Sequence, residues 1–122
     1  MIYKPYNLKD VVKASEQNKF TVVSTFAGGG GSSTGYRLAG GKILCVNEFV
    51  KEAINTYKEN YPDTPVLPDD IKTLSEKDFS KYGEIDIFDG SPPCSAFSVS
   101  GAIFSAMLVY YLFTIIKKFQ VI

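Results

Sequence analysis

Apolar residues in this chain gather in short β-branched or aromatic blocks, and between the blocks they recur every three or four positions among charges. Blocks of that kind read as buried strands, and they fall at 20–26, 42–46, 66–67 and 84–89. The intervening periodicity predicts helices at 11–18 and at 48–61. In the second of these, Phe49, Ala53, Ile54 and Tyr57 share one face, while Lys51, Glu52, Lys58 and Glu59 take the other, and Pro62 ends the run. A further helix is expected to run through Tyr36 to Leu38, capped by Ser32, Ser33 or Thr34 and ended by Gly40-Gly41. Residues 74–82 form a charged helix or loop, and residues 1–10 a polar and aromatic lead-in. Strand and helix thus alternate, which predicts an α/β fold with a parallel sheet. The ligand site of such a sheet lies across the carboxyl ends of its strands.

Composition narrows the picture. A chain of 122 residues with 45% apolar and 21% charged residues is a single soluble globular domain by the usual priors. Formal net charge is zero, so the basic footprint of a self-sufficient nucleic-acid binder is missing. The absence of histidine removes His-based triads, His general bases and His metal sites, and with only two cysteines no zinc cluster is expected. Cys45 falls inside an apolar strand block and reads as core, which favours a reduced, cytoplasmic chain over a disulfide with Cys94. Residues 90–116 carry no charge, yet their apolar portion, 102–116, is only 15 residues and includes Ser105 and Thr114. A membrane span takes about 20 residues, so a buried helix is expected there and no membrane partner.

Four features at predicted strand ends carry candidate chemistry. The first strand runs into Ala27 and four consecutive glycines, Gly28 to Gly31, which allow a sharp turn and close approach of a ligand to the backbone. Glu48 lies 20 residues beyond Gly28, at the end of the second strand, where dinucleotide-type folds place the carboxylate that accepts from ribose hydroxyls. A flexible turn and a solvated glutamate would give the same letters. No Gly-Lys-Ser/Thr closes the glycines, so the loop is not a P-loop. Asp69 and Asp70 follow the third strand and either face the same crevice or cap the next helix. After the fourth strand, Gly90-Ser91-Pro92-Pro93-Cys94 holds one thiol on a turn stiffened by two prolines. That geometry suits a nucleophile; the alternative is a buried structural residue, since free cysteine is among the most buried residue types.

Taken together, these stretches resemble the cytosine-C5 DNA methyltransferases. Phe26-Ala27-Gly28-Gly29-Gly30-Gly31 looks like the family's first motif, Asn47-Glu48 its acidic position, Asp69-Asp70-Ile71 the turn beside the adenine, and Gly90 to Ser98 the catalytic Pro-Pro-Cys motif. The resemblance implies an incomplete Rossmann-like fold with strand order 3-2-1-4 and S-adenosylmethionine as cofactor. It implies cofactor contacts at Phe26, Ala27, Gly28, Gly30, Gly31, Glu48, Asp70, Ile71 and Pro92, with Cys94 as nucleophile toward a cytosine flipped out of DNA. It covers nearly the whole chain but only about the first third of such an enzyme. The family's Glu-Asn-Val motif, arginine motif and target recognition domain have no counterpart in these residues, and 102–106 is more apolar than the usual catalytic loop. Two readings follow: an N-terminal part that needs a complementing C-terminal chain, or a non-catalytic remnant that at most binds the cofactor. A nicotinamide-binding domain ranks third, because of the Pro-Pro-Cys motif. In both leading readings an apolar sheet edge and an apolar stripe at Leu108, Tyr111, Leu112, Ile115 and Phe119 predict self-association.

Overall fold

A computed structural model describes residues 4–90 of the chain. The elements, in order, are α1 (Leu8–Ser15), β1 (Phe20–Thr25), α2 (Gly31–Leu38), β2 (Gly41–Asn47), α3 (Lys51–Asn60) and β3 (Val66–Leu67). A 3₁₀ turn (Ile71–Thr73), α4 (Glu76–Ser80) and β4 (Ile87–Gly90) complete them. The four strands form one sheet in the order β3-β2-β1-β4, all pairs parallel. This is the expected strand order. The expected C-terminal helix and the Pro-Pro-Cys turn lie outside the described residues.

Two apolar layers cover the sheet because successive side chains on a strand point to opposite faces. On one face, Val11 of α1, Val22, Ile43, Val46, Tyr57 of α3 and Tyr61 just after it form one cluster. On the other, Val23, Cys45, Ile71 and Phe79 form a second, with Phe88 edge-on to Phe79 at 5.3 Å between ring centroids. The β1–β2 register skips Leu44, which leaves Leu44 and Cys45 packed toward the same cluster. This bulge lets consecutive apolar residues of β2 all find cover.

Several boundaries differ from the sequence expectation, each for a local reason. Helix α1 begins at Leu8 rather than at Val11, because Asn7 and Asp10 form a reciprocal capping box with both bonds at 3.0 Å. Helix α2 is capped by none of the three hydroxyl residues: its N-cap is Gly30, in the left-handed region at φ 107°, with no side-chain cap. Helix α3 starts at Lys51, and Phe49, expected on its buried face, is 59% exposed. The Glu48 carboxylate receives the amides of Phe49 and Val50, both at 3.0 Å, and so turns the chain before the helix starts. Strand β4 begins at Ile87; the preceding Asp86 instead clamps the start of β1, accepting the Thr21 amide at 2.9 Å. No helix among the described residues is long and apolar enough to cross a membrane.

Candidate functional site

The carboxyl ends of β1, β2 and β3 are laced together by hydrogen bonds that begin where the strands stop. The Ala27 amide donates to the Asn47 carbonyl at 3.1 Å, and the Glu48 amide to the Leu67 carbonyl at 3.2 Å. Asn47, buried at the end of β2, donates its side-chain amide to the carbonyls of Leu67 at 3.1 Å and Asp69 at 2.8 Å. Sequence reasoning passed over Asn47 as a mere neighbour of Glu48. Its signal is its place: a polar side chain closing an apolar strand needs partners when buried.

Leaving β1, the chain turns on three left-handed residues, Phe26 (φ 54°), Gly28 (φ 59°) and Gly30 (φ 107°). Phe26 is the costly one, since a side chain in that region carries about 1 kcal/mol or more of strain. Its ring packs against the second apolar cluster, which holds it there. The glycines divide by direction. A Cβ on Gly30 would lie 3.2 Å from the Tyr61 ring and 3.3 Å from the Tyr57 ring, and one on Gly29 would lie 3.2 Å from Thr56. A Cβ on Gly28 or Gly31 would meet nothing within 4 Å. Half of the loop is therefore pressed against α3, and half borders open space.

Glu48 faces this loop. Its Oε2 accepts the Gly28 amide at 2.8 Å, while Oε1 takes the two amides that follow it. A carboxylate has about four acceptor sites, so three amides leave capacity for one ligand hydroxyl. The first helical amides of α2 meet no side-chain cap and carry the positive end of the helix dipole. Asp70, by contrast, caps its own 3₁₀ turn: Oδ1 accepts the Lys72 amide at 3.0 Å and Oδ2 pairs with Lys72 Nζ at 3.5 Å. The capping alternative for this aspartate is thus present in the structure. Ile71 beside it is 3% exposed in the second cluster and anchors the turn from beneath.

Behind the loop is a polar group that sequence reasoning missed. Arg37 is 5% exposed, donates to Tyr57 Oη at 3.1 Å and to Thr64 Oγ1 at 2.7 Å, and lies 3.7 Å above the Tyr61 ring centroid. Tyr57 in turn donates to Ser33 Oγ at 2.9 Å, and burial pushes its phenol above the ordinary value although Ser33 and Arg37 both act to lower it. The Tyr36 hydroxyl is also raised, first by burial and then by the charge of Asp89. Cys45 is fully buried, and burial raises its thiol to about 12, so it is an inert core residue as expected. Cys94 and Pro92 lie outside the described residues.

A parallel sheet with its crevice at the strand ends, a glycine turn after β1 and a carboxylate after β2 define a nucleotide-type ligand-binding fold of the Rossmann-like class. A sequence profile of the C-5 cytosine-specific DNA methylase family matches residues 20–120, and the chain belongs to that family. It is 38% identical over 86 residues to the Type II methyltransferase M.NgoPII of Neisseria gonorrhoeae, an alignment covering 70% of this chain and 25% of that one. Its fold is similar to that of a prophage-encoded DNA modification methyltransferase crystallised from E. coli, with a TM-score of 0.72 and 25% identity over 84% of this chain and 30% of that one. A DNMT2 mutant of Spodoptera frugiperda matches with a TM-score of 0.59 and 27% identity, over 68% of this chain and 25% of that one. The chain thus spans about a quarter of the length of the curated relative it matches.

Proposed function

We propose that this chain is the cofactor-binding and Pro-Pro-Cys part of a DNA cytosine-5 methyltransferase, with S-adenosylmethionine bound at the carboxyl ends of β1 to β3. The observation that carries the reading is the cradle at the glycine loop. Gly28 and Gly31 border space that a Cβ would enter unopposed, and Glu48 stands across it with acceptor capacity to spare. When bound, S-adenosylmethionine supplies an electrophilic methyl group. Glu48 would accept from a ribose hydroxyl, and the uncapped amides of α2 would face the ligand's carboxylate. Phe26, Ala27, Gly30, Asp70, Ile71 and Pro92 complete the proposed wall, with Asp70 beside the adenine. Phe49, exposed directly after Glu48, adds an aromatic face on which a flat ring can stack.

Cys94 is proposed as the nucleophile. Its thiolate adds to C6 of a flipped cytosine, which drives electron density onto C5. After C5 has taken the methyl group, loss of its proton to a base expels the thiolate and restores the ring. A thiolate suits both steps because it adds and leaves readily near neutral pH. Because the chain spans a quarter of its curated relative, transfer to DNA is proposed for the chain together with the remaining portion, on the same polypeptide or a complementing one. The terminal strand of the described sheet, β4, is the proposed edge for that partner and, without it, for self-association.

Calorimetric titration of the 122-residue chain with S-adenosylmethionine tests the reading. Binding that weakens in Glu48→Ala supports it, and equal affinity for the two proteins removes Glu48 from the site. With a complementing partner present, Cys94→Ala abolishes methyl transfer; near-normal activity in that variant overturns the nucleophile assignment. Light scattering checks the edge, where a dispersed monomer at micromolar concentration would refute self-association.

A further inference from the structure

Tyr61 reaches the glycine loop by two routes, directly with its ring and by way of Thr34 with its hydroxyl. The ring backs Gly30, leaving 3.2 Å for a Cβ that glycine lacks. The hydroxyl is hydrogen-bonded to Thr34 Oγ1, and Thr34 Oγ1 donates to the Gly30 carbonyl at 2.8 Å. A threonine hydroxyl has one proton, already given to Gly30, so Tyr61 is the donor to Thr34. The Gly30 carbonyl also accepts the Thr34 backbone amide at 2.9 Å. Two donors on one carbonyl fix the plane of the peptide between Gly30 and Gly31. Because that peptide is planar and trans, the Gly31 amide then points the opposite way, out of the first turn of α2.

Arg37 stacks on the same ring. Its guanidinium lies 3.7 Å from the Tyr61 centroid, and its Nη1 and Nη2 donate to Tyr57 and Thr64. Among the described residues this buried cation makes no ion pair. Its partners are two hydroxyls and two aromatic faces, all but one of them from α3 and its C-terminal flank. The arrangement locks α2 to α3 at the level of the glycine loop.

We infer that Tyr61 is a positioning residue: clamped by Arg37, it sets through Thr34 the orientation of the Gly30–Gly31 peptide, and with it the amide presented to the ligand. The link to a ligand rests on the cofactor reading above. A purely structural role forecasts a lower thermal midpoint with the Gly31 amide unmoved. In a positioning role, removing the Tyr61 hydroxyl takes from Thr34 Oγ1 the donor that orients it, and the freed threonine hydroxyl can leave the Gly30 carbonyl, which then keeps only the Thr34 backbone amide. The loop loosens while global stability hardly changes.

The test uses the full chain in five forms: wild type, Tyr61→Phe, Thr34→Val, Thr34→Ser and the Tyr61→Phe/Thr34→Val double variant. In the ligand-free proteins, the Gly31 amide resonance and its hydrogen-exchange protection are followed by NMR, with thermal midpoints recorded alongside. Tyr61→Phe and Thr34→Val are expected to move the Gly31 amide and raise its exchange, Thr34→Ser to behave as wild type, and midpoints to stay close together for Tyr61→Phe. S-adenosylmethionine affinity is expected to fall about three- to tenfold in Tyr61→Phe and in Thr34→Val, and no further in the double variant. A Gly31 amide unmoved in Tyr61→Phe, or losses that add in the double variant, would overturn the inference. The two readings fail separately. If wild type binds no S-adenosylmethionine yet the amide moves, the cofactor reading falls and the relay stands. If binding depends on Glu48 while the amide stays still, the relay alone falls.

Discussion

Glu48 Oε2 accepts the Gly28 amide at 2.8 Å, across 20 residues of chain, so the carboxylate at the end of β2 shapes the turn at the end of β1. The spacing that suggested a ribose contact is thus also a structural bond. With its other oxygen on two amides, Glu48 organises the protein side of the crevice before any ligand arrives.

Glu48→Gln is therefore expected to do more than weaken binding. A carboxamide must turn one N–H₂ toward backbone amides that are themselves donors. The loss should be about 1–3 kcal/mol in urea unfolding, together with about tenfold or more in S-adenosylmethionine affinity. Unchanged urea midpoints would show that the amides find other partners.

The glycines should respond in opposite ways. Gly30→Ala forces φ 107° on a side chain pressed against two tyrosine rings, and is expected to cost about 1–3 kcal/mol. Gly31→Ala stands at the first position of α2 in open space, and should be neutral or stabilising by up to about 1 kcal/mol. If that space belongs to the cofactor, Gly31→Ala loses affinity while keeping its thermal midpoint. Thermal scans and calorimetry on both variants separate the two effects.

Arg37→Lys keeps the charge but loses the planar fork that reaches Tyr57 and Thr64 and stacks on Tyr61. We expect a destabilisation of about 2–3 kcal/mol, measured by urea unfolding, because a buried ammonium cannot reproduce that geometry. A variant as stable as wild type would mean the hydroxyls and rings satisfy either cation.

Cys45 sets a pH limit. Its folded-state thiol is raised from the ordinary 9.0 to about 12, chiefly by burial, with the charge of Lys81 opposing. A raised value means the unfolded chain ionises first, so stability is intact below pH 9 and falls as pH climbs toward 12. Tyr57 adds to the fall above its ordinary 10.0. Cys45→Ala should flatten part of that alkaline slope, at a cost of about 1 kcal/mol at neutral pH from the cavity. Iodoacetamide at pH 8 should spare Cys45 in the native protein and modify it after denaturation, as read by peptide mass mapping.

The sequence by itself determined the order of strands and helices, the place of the glycine turn and the carboxylate after β2. These are recorded locally: β-branched blocks favour buried strands, and glycine is the residue that tolerates φ 59° and φ 107° at Gly28 and Gly30. It also marked Cys45 as core, from the apolar run around it. What only the tertiary structure decided is which groups meet. Three hydroxyl residues offered themselves as caps for α2, yet the helix begins on Gly30 because Ser33 is drawn to Tyr57 and Thr34 to Tyr61, 24 and 27 residues away. Phe49 fits the helical stripe by period but lies outside it, since Glu48 captures the amides there and delays the helix. Arg37 carries no signal of burial in the sequence, and it is buried because two tyrosines and Thr64 of a distant segment surround its guanidinium. Periodicity shows which side of an element faces inward. It carries no record of the partner found there, because that depends on how α2 and α3 dock on the sheet.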